Sequence, residues 1–293
     1  MKKFIIIGEA KGISKEFNLI YSFHKNNDIE IVGFSTFKDY YNNLFGFKHY
    51  FINEINTVNY DYIILICDDK DFIMYKEYLS FINKDCNIIN YKVFKIPFFN
   101  IKKYLNLLHN TPTIISNNCL GGILYHTLSL KLNSPFINLW LTDEDFIKFL
   151  KNPKKYLSLE VKPLGYDYDL DGKQFPTCKW GDLVILGNHY KTHEELITCW
   201  ERRKKRINWD NLFVLFTSDK KNNIEEFAKL KYEHKLCISP FECEYKNTDV
   251  LDVGPANSLG WYLSALEVFR NNIPLLDLVD LLYSKKIKYI SIR

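Results

Sequence analysis

Residues 4–8, Phe-Ile-Ile-Ile-Gly, are apolar at every position and end on a glycine. A strand with no polar alternation has to be covered on both faces, as in a parallel sheet with helices packed on each side. The same signature returns at residues 62–67, Tyr-Ile-Ile-Leu-Ile-Cys, and stops at Asp68-Asp69. Each run leads into an amphipathic stretch. Residues 14–24 follow the first; residues 71–83 follow the second, with Phe72, Tyr75, Tyr78, Leu79 and Ile82 at helical spacing. Residues 30–34 supply a further strand. This repetition predicts an α/β fold that opens with a parallel sheet.

A polar stretch at residues 107–112 interrupts the pattern, which then restarts. Residues 113–117, 136–141, 183–186, 212–217 and 236–239 are expected strands, and 156–161 an edge or hairpin strand. Thr142-Asp143-Glu144-Asp145 and Thr192-His193-Glu194-Glu195 are capping boxes that open helices. The second of these helices is expected to run through Arg206. A helix is also expected over residues 120–130, closing helices over 259–270 and 274–283, and a polar loop over 165–180. Two domains follow: residues 1–108 with a Rossmann-like parallel sheet, and residues 109–293 as a second α/β domain.

The 293 residues carry a formal net charge of only +4, and their aromatic residues are spread along the chain. Neither property points to a nucleic-acid partner. Seven cysteines occur without a Cys-x-x-Cys pair, so no metal site is expected from them. The apolar run after Met1-Lys2-Lys3 is too short for a signal peptide. No stretch reaches the roughly 20 apolar residues of a membrane span. Free thiols without a signal predict a cytoplasmic protein with no integral membrane segment.

The most site-like segment is Ser116-Asn117-Asn118-Cys119-Leu120-Gly121-Gly122, where a strand meets a helix. A cysteine there gains from unsatisfied N–H groups and the helix dipole, which favour thiolate. Cys119 is thus the candidate nucleophile. Asn117 and Asn118 are candidate caps or oxyanion donors, and Gly121 and Gly122 open the backbone to a substrate. His126 lies two helical turns beyond Cys119, about 10 Å along the axis, too far to serve as its base. His189 follows the strand at 183–186 and is the expected base, provided both strands end on one edge of a parallel sheet. Asp143, Asp145 and Asp182 are possible orienting carboxylates, and His193 a surface or capping residue.

Gly8, Gly12 and Ser14 occupy the position of a phosphate loop after the first strand, a candidate nucleotide site. The full three-glycine motif is absent, and no acid follows the second strand. Arg202, Arg203 and Arg206 belong to a basic run ending a helix; beyond offsetting the helix dipole, they are candidates to hold an anionic donor such as a sugar nucleotide or acyl-CoA. Asp167-Tyr168-Asp169-Leu170-Asp171-Gly172 has calcium-loop spacing, but Cys178 stands where the bidentate Glu belongs, which excludes that site.

Residues 113–119, Gly121-Gly122, Ser134-Pro135-Phe136-Ile137-Asn138-Leu139, residues 145–150, His189-Tyr190 and the run from Trp200 to Asn208 occur in this order. Together they resemble a bacterial family of unknown function commonly labelled exopolysaccharide biosynthesis protein. The likeness covers residues 111–240 and departs at Leu120, where Trp is common. It implies a role in making or decorating surface polysaccharide, as an acyl- or glycosyl-transferring enzyme or as a non-catalytic protein binding a nucleotide sugar or a partner. It defines no reaction and no cofactor. For a glycosyltransferase, Asp167-Tyr168-Asp169 has the letters of a metal motif, though it lies in an expected loop.

Overall fold

A computed structural model of the chain describes residues 1–38, 43–82, 87–169, 171–245, 248–253, 276–285 and 287. It is mixed α/β with parallel sheets, in two compact units, Met1–Lys102 and Lys103–Arg293. The first unit contains β1 (Lys3–Gly8), α1 (Ala10–Lys25), β2 (Glu30–Thr36), β3 (Asn43–Leu44), β4 (Phe47–Lys48), β5 (Tyr62–Ile66), α2 (Asp69–Ile82) and β6 (Asn87–Asn90). Its main sheet has the order β2-β1-β5-β6, all parallel. Ile5, Ile7, Ile63 and Leu65 pack with Ile55 and Leu79 in one core. The continuous apolar strands are buried as their sequence requires.

The transition from β1 to α1 is tighter than the sequence suggested. Only Glu9 separates strand from helix, so α1 begins four residues before the expected start. At Gly8 a Cβ would stand 2.5 Å from the Ile66 carbonyl oxygen, so glycine lets the ends of β1 and β5 approach.

After α3 (Ile101–His109) come β7 (Thr113–Ser116), α4 (Leu120–Thr127), α5 (Asp143–Lys151), α6 (Pro153–Ser158), β8 (Val161–Tyr168), β9 (Gln174–Trp180) and β10 (Leu183–Leu186). Then follow α7 (His193–Lys204), β11 (Leu212–Thr217), α8 (Lys221–Ala228), β12 (Lys235–Ser239), β13 (Asp249–Asp252) and α9 (Leu278–Ser284). A parallel sheet has the order β13-β12-β11-β7. A separate antiparallel sheet has the order β10-β9-β8.

Between them lies an aromatic core. Trp180 and Trp200 cross at 4.7 Å between ring centroids, Phe149 meets Trp180 at 5.1 Å, and Phe146 stacks on Phe216 at 5.8 Å. Trp180 also donates from Nε1 to the Tyr156 carbonyl at 2.7 Å.

Several expected elements differ here. Residues 156–161 are not a strand: Pro153 in the first turn starts α6, which carries Tyr156 and Leu157 into the core. The expected loop at 165–180 is largely the β8–β9 hairpin. Residues 136–139 are irregular and reach the antiparallel sheet through an isolated bridge between Trp140 and Leu186. The helix expected at 259–270 lies outside the described residues.

Candidate functional site

β7 and β11 are parallel neighbours, so their carboxyl ends open on the same side. That edge is where open α/β sheets bind ligands. Here it holds a cleft of about 380 Å³ lined by residues after β7 (Asn118), before and within α5 (Trp140, Thr142, Asp143, Glu144), and at and after the end of β11 (Thr217, Ser218, Asp219, Lys220).

The walls are fixed by hydrogen bonds. Asn117 is buried, and its amide spans the strand ends: Nδ2 donates to the Thr217 carbonyl at 2.9 Å and Oδ1 accepts from the Thr217 N–H at 3.1 Å. Its neighbour Asn118 accepts the Leu120 N–H at 3.1 Å. The Leu141 N–H donates to the Asn117 carbonyl at 2.9 Å, which ties the approach to α5 against β7. Thr142 then caps α5 by accepting the Asp145 N–H at 3.2 Å.

Asp143 is the centre of the polar network. Its Oδ2 accepts from Ser218 Oγ at 2.6 Å and from Asn223 Nδ2 at 3.1 Å. Among the described residues Oδ1 accepts no bond, and it is available to a ligand. Asn223 also donates to Glu144 at 3.1 Å, and Lys220 reaches Glu144 at 3.3 Å. The Glu144 carboxyl is held below its ordinary range by its own backbone N–H at the start of α5, then by Asn223 and Lys220. The Lys220 ammonium is correspondingly raised by Glu144 and then by Asp143. Thr217 is 4% exposed, and among the described residues its Oγ1 has no hydrogen-bond partner. Trp140 lines the cleft with 38% of its surface exposed.

The arrangement is acidic. Asp143, Glu144 and Asp219 face a single ammonium, Lys220. It suits a ligand rich in hydroxyl donors, because carboxylates only accept hydrogen bonds. Among the described residues no cluster of three or more His, Cys, Asp or Glu could hold a metal.

Of the residues singled out from sequence, Asn118 lines the cleft and Cys119 follows it, half-buried at the start of α4. The geometry expected for His189 needs correction. It is exposed and follows β10, which pairs antiparallel with β9 and belongs to another sheet than β7. Its strand therefore does not share a parallel edge with the Cys119 turn. Asn117 is not a free oxyanion donor, since both ends of its amide hold Thr217.

The paired glycines serve packing. A Cβ at Gly121 would stand 2.7 Å from Ser116 Oγ and 3.1 Å from Ile114 Cγ2, so this residue brings α4 down onto β7. At Gly122 the nearest atom, Ile137 Cγ2, would be 3.4 Å from a Cβ, an ordinary contact. Both glycines are buried, so neither opens backbone to a substrate.

The basic run is dispersed. Arg203 is buried and donates to Tyr190 Oη at 2.7 Å and to the Ile137 carbonyl at 3.4 Å. Arg206 donates to the Leu132 carbonyl at 3.3 Å, while Arg202 is exposed and contacts Cys199 Sγ at 3.5 Å. Two of the three expected anion holders are thus engaged within the protein. In the first unit, Gly12 sits within α1 with Ile66 Cγ2 3.2 Å from a Cβ position, and Ser14 is exposed on the same helix. Together with Gly8 they form no open phosphate loop.

Trp140, Thr217, Ser218 and Lys220 were missed from sequence. The available signal was Ser218-Asp219-Lys220 directly after an apolar strand, the same arrangement that marked the Cys119 turn.

A family model described as a domain of unknown function, DUF1919, matches residues 90–253. An uncharacterized protein of Haemophilus influenzae is 33% identical over 145 residues, which are 48% of this chain and 68% of that protein.

Proposed function

The chain belongs to the family described as a domain of unknown function, DUF1919, and from that premise we propose that it handles a saccharide in cell-surface polysaccharide assembly, at the cleft between the ends of β7 and β11. One observation carries this: the exposed indole of Trp140 stands in one cleft with Asn118, Asp143, Glu144 and the hydroxyl-bearing Thr142 and Ser218. A sugar presents a C–H face that packs on an aromatic ring and hydroxyls that donate to carboxylates and amides. The acidic balance favours a neutral acceptor over an anionic donor in this cleft. The likeness to exopolysaccharide biosynthesis proteins supports the same ligand class.

The reaction that fits is transfer of an acyl or glycosyl group to a sugar hydroxyl. Asp143 Oδ1 takes the hydroxyl proton as the sugar oxygen attacks the donor carbon, and the leaving group departs with the bonding electrons. Ser218 and Asn223 hold the carboxylate from its other oxygen. A Cys119 nucleophile belongs to the acyl-transfer form, and its alkylation rate against pH tests it: an activated thiolate reacts well below a pH of about 8.5.

The cleft is tested by screening wild type against an array of bacterial surface glycans. Trp140→Ala should weaken retention at least 10-fold, while Asp143→Asn should retain the glycan and lose transfer. Retention without transfer by the wild type would support the non-catalytic binding form. Absence of glycan retention, or retention unaffected by Trp140→Ala, would remove the proposal.

A further inference from the structure

The far ends of α5 and α8 enclose a second recess, of about 610 Å³, within the size range of small-molecule sites. Four lysines line it, Lys151, Lys154, Lys229 and Lys231, together with Trp209 and Tyr232. Glu226 pairs with Lys151 at 3.3 Å and Lys229 at 2.7 Å. Among the described residues, neither Lys154 nor Lys231 has a carboxylate partner. Lys154 Nζ instead lies 5.5 Å from the centroid of the Trp209 ring, whose surface is 37% exposed.

Helix dipoles explain part of this charge. Lys151 ends α5 and Lys229 follows α8, where cations are favoured. They do not explain the rest. Lys154 is in the first turn of α6, the end where a cation is disfavoured, and Lys231 lies beyond the last turn of α8. Four ammoniums against the single carboxylate of Glu226 leave a surplus of three positive charges around an exposed indole.

We propose that this recess binds a nucleoside diphosphate, with the base on Trp209 and the diphosphate across Lys154 and Lys231. The surplus of three matches the charge of about −3 carried by a nucleoside diphosphate near neutral pH. Lysine serves phosphate as a mobile point charge, and base stacking on an exposed indole replaces the Lys154–Trp209 contact. A simple carboxylated sugar would leave most of that charge unmatched. The site is separate from the saccharide cleft. Asp143 and Lys151 stand at opposite ends of α5, a nine-residue helix spanning about 13 Å. The anion thus belongs to the basic end of α5 and the neutral ligand to its acidic end.

Calorimetry on the full chain tests this, with uridine diphosphate as the probe and uridine and inorganic pyrophosphate as comparisons. Uridine diphosphate should bind saturably, weaken as salt rises, and outbind both comparisons. A Lys154→Glu/Lys231→Glu protein should bind it at least 10-fold more weakly with an unchanged circular-dichroism spectrum. If charge reversal unfolds the domain, Lys154→Gln/Lys231→Gln should show the same loss in reduced size. Trp209→Ala should bring uridine diphosphate down to the affinity of pyrophosphate. The proposal is overturned if uridine diphosphate does not saturate, or if its binding is unchanged in the lysine variants. Equal affinity for pyrophosphate and uridine diphosphate in the wild type also overturns it. None of these results bears on glycan retention at Trp140, so the two sites stand or fall separately.

Discussion

At the residue scale, adjacent positions in the strand-to-helix turn have opposite tolerances. Gly121 faces Ser116 Oγ and Ile114 Cγ2 at distances a Cβ cannot occupy unless these side chains shift, and Ser116 Oγ is held by the Asn118 carbonyl. Gly121→Ala should therefore destabilise the protein by about 1–3 kcal/mol, the usual cost of overpacking. Gly122→Ala meets only ordinary contacts and gains helix propensity, up to about 1 kcal/mol. Urea denaturation of the two variants measures this contrast, and equal losses would contradict it. Thr217 should tolerate loss of its hydroxyl. Its hydroxyl is buried without a partner among the described residues, so Thr217→Val should leave stability within about 1 kcal/mol of wild type. Glycan retention should be unchanged, because this hydroxyl is sealed behind the wall of the cleft.

At the element scale, two crossed indoles differ in how they are held. Trp180 donates to the Tyr156 carbonyl, whereas the buried Nε1 of Trp200 has no partner among the described residues. Trp180→Phe should therefore cost about 1 kcal/mol more than Trp200→Phe, because it gives up a buried hydrogen bond, while the Tyr156 carbonyl keeps the Leu159 N–H. Denaturation midpoints compare the two, and a larger loss at Trp200 would sink the account. The sequence made β1, β5, β7, β10 and β11 legible because they are short, apolar and bounded by polar residues. It hid β8, most of whose positions from Val161 to Tyr168 are exposed, so no alternation marks a buried face. It also hid α6, since Tyr156 and Leu157 read as strand residues when the Pro153 start is overlooked. The Cys119 turn was legible for the same reason as its strand. Its true neighbour was not. Which strand end stands beside β7 depends on sheet order, and β11 is nearly a hundred residues away in sequence.

At the scale of the whole molecule, two compact units give two reporters that can be read apart. No tryptophan occurs in residues 1–102, and the described ones, Trp140, Trp180, Trp200 and Trp209, fall in the second unit. Indole fluorescence therefore follows that unit, while far-ultraviolet dichroism follows both. In the first unit His49 is buried, and Thr36 donates its backbone N–H to Nε2 at 3.3 Å. Burial lowers the His49 pKa from its ordinary 6.5. Between the folded value and 6.5 the unfolded chain binds more protons, so stability falls as pH drops below 6.5 and levels off below the folded pKa. His234 acts with the same sign in the second unit, through its burial first and then Lys285. His49→Gln keeps an acceptor for the Thr36 N–H but cannot titrate. Between pH 7 and pH 5 the wild-type dichroism transition should fall further than that of His49→Gln. The fluorescence transition should fall equally in both proteins. If the variant shifts both signals alike, the units unfold as one and the acid response cannot be assigned to His49 in the first.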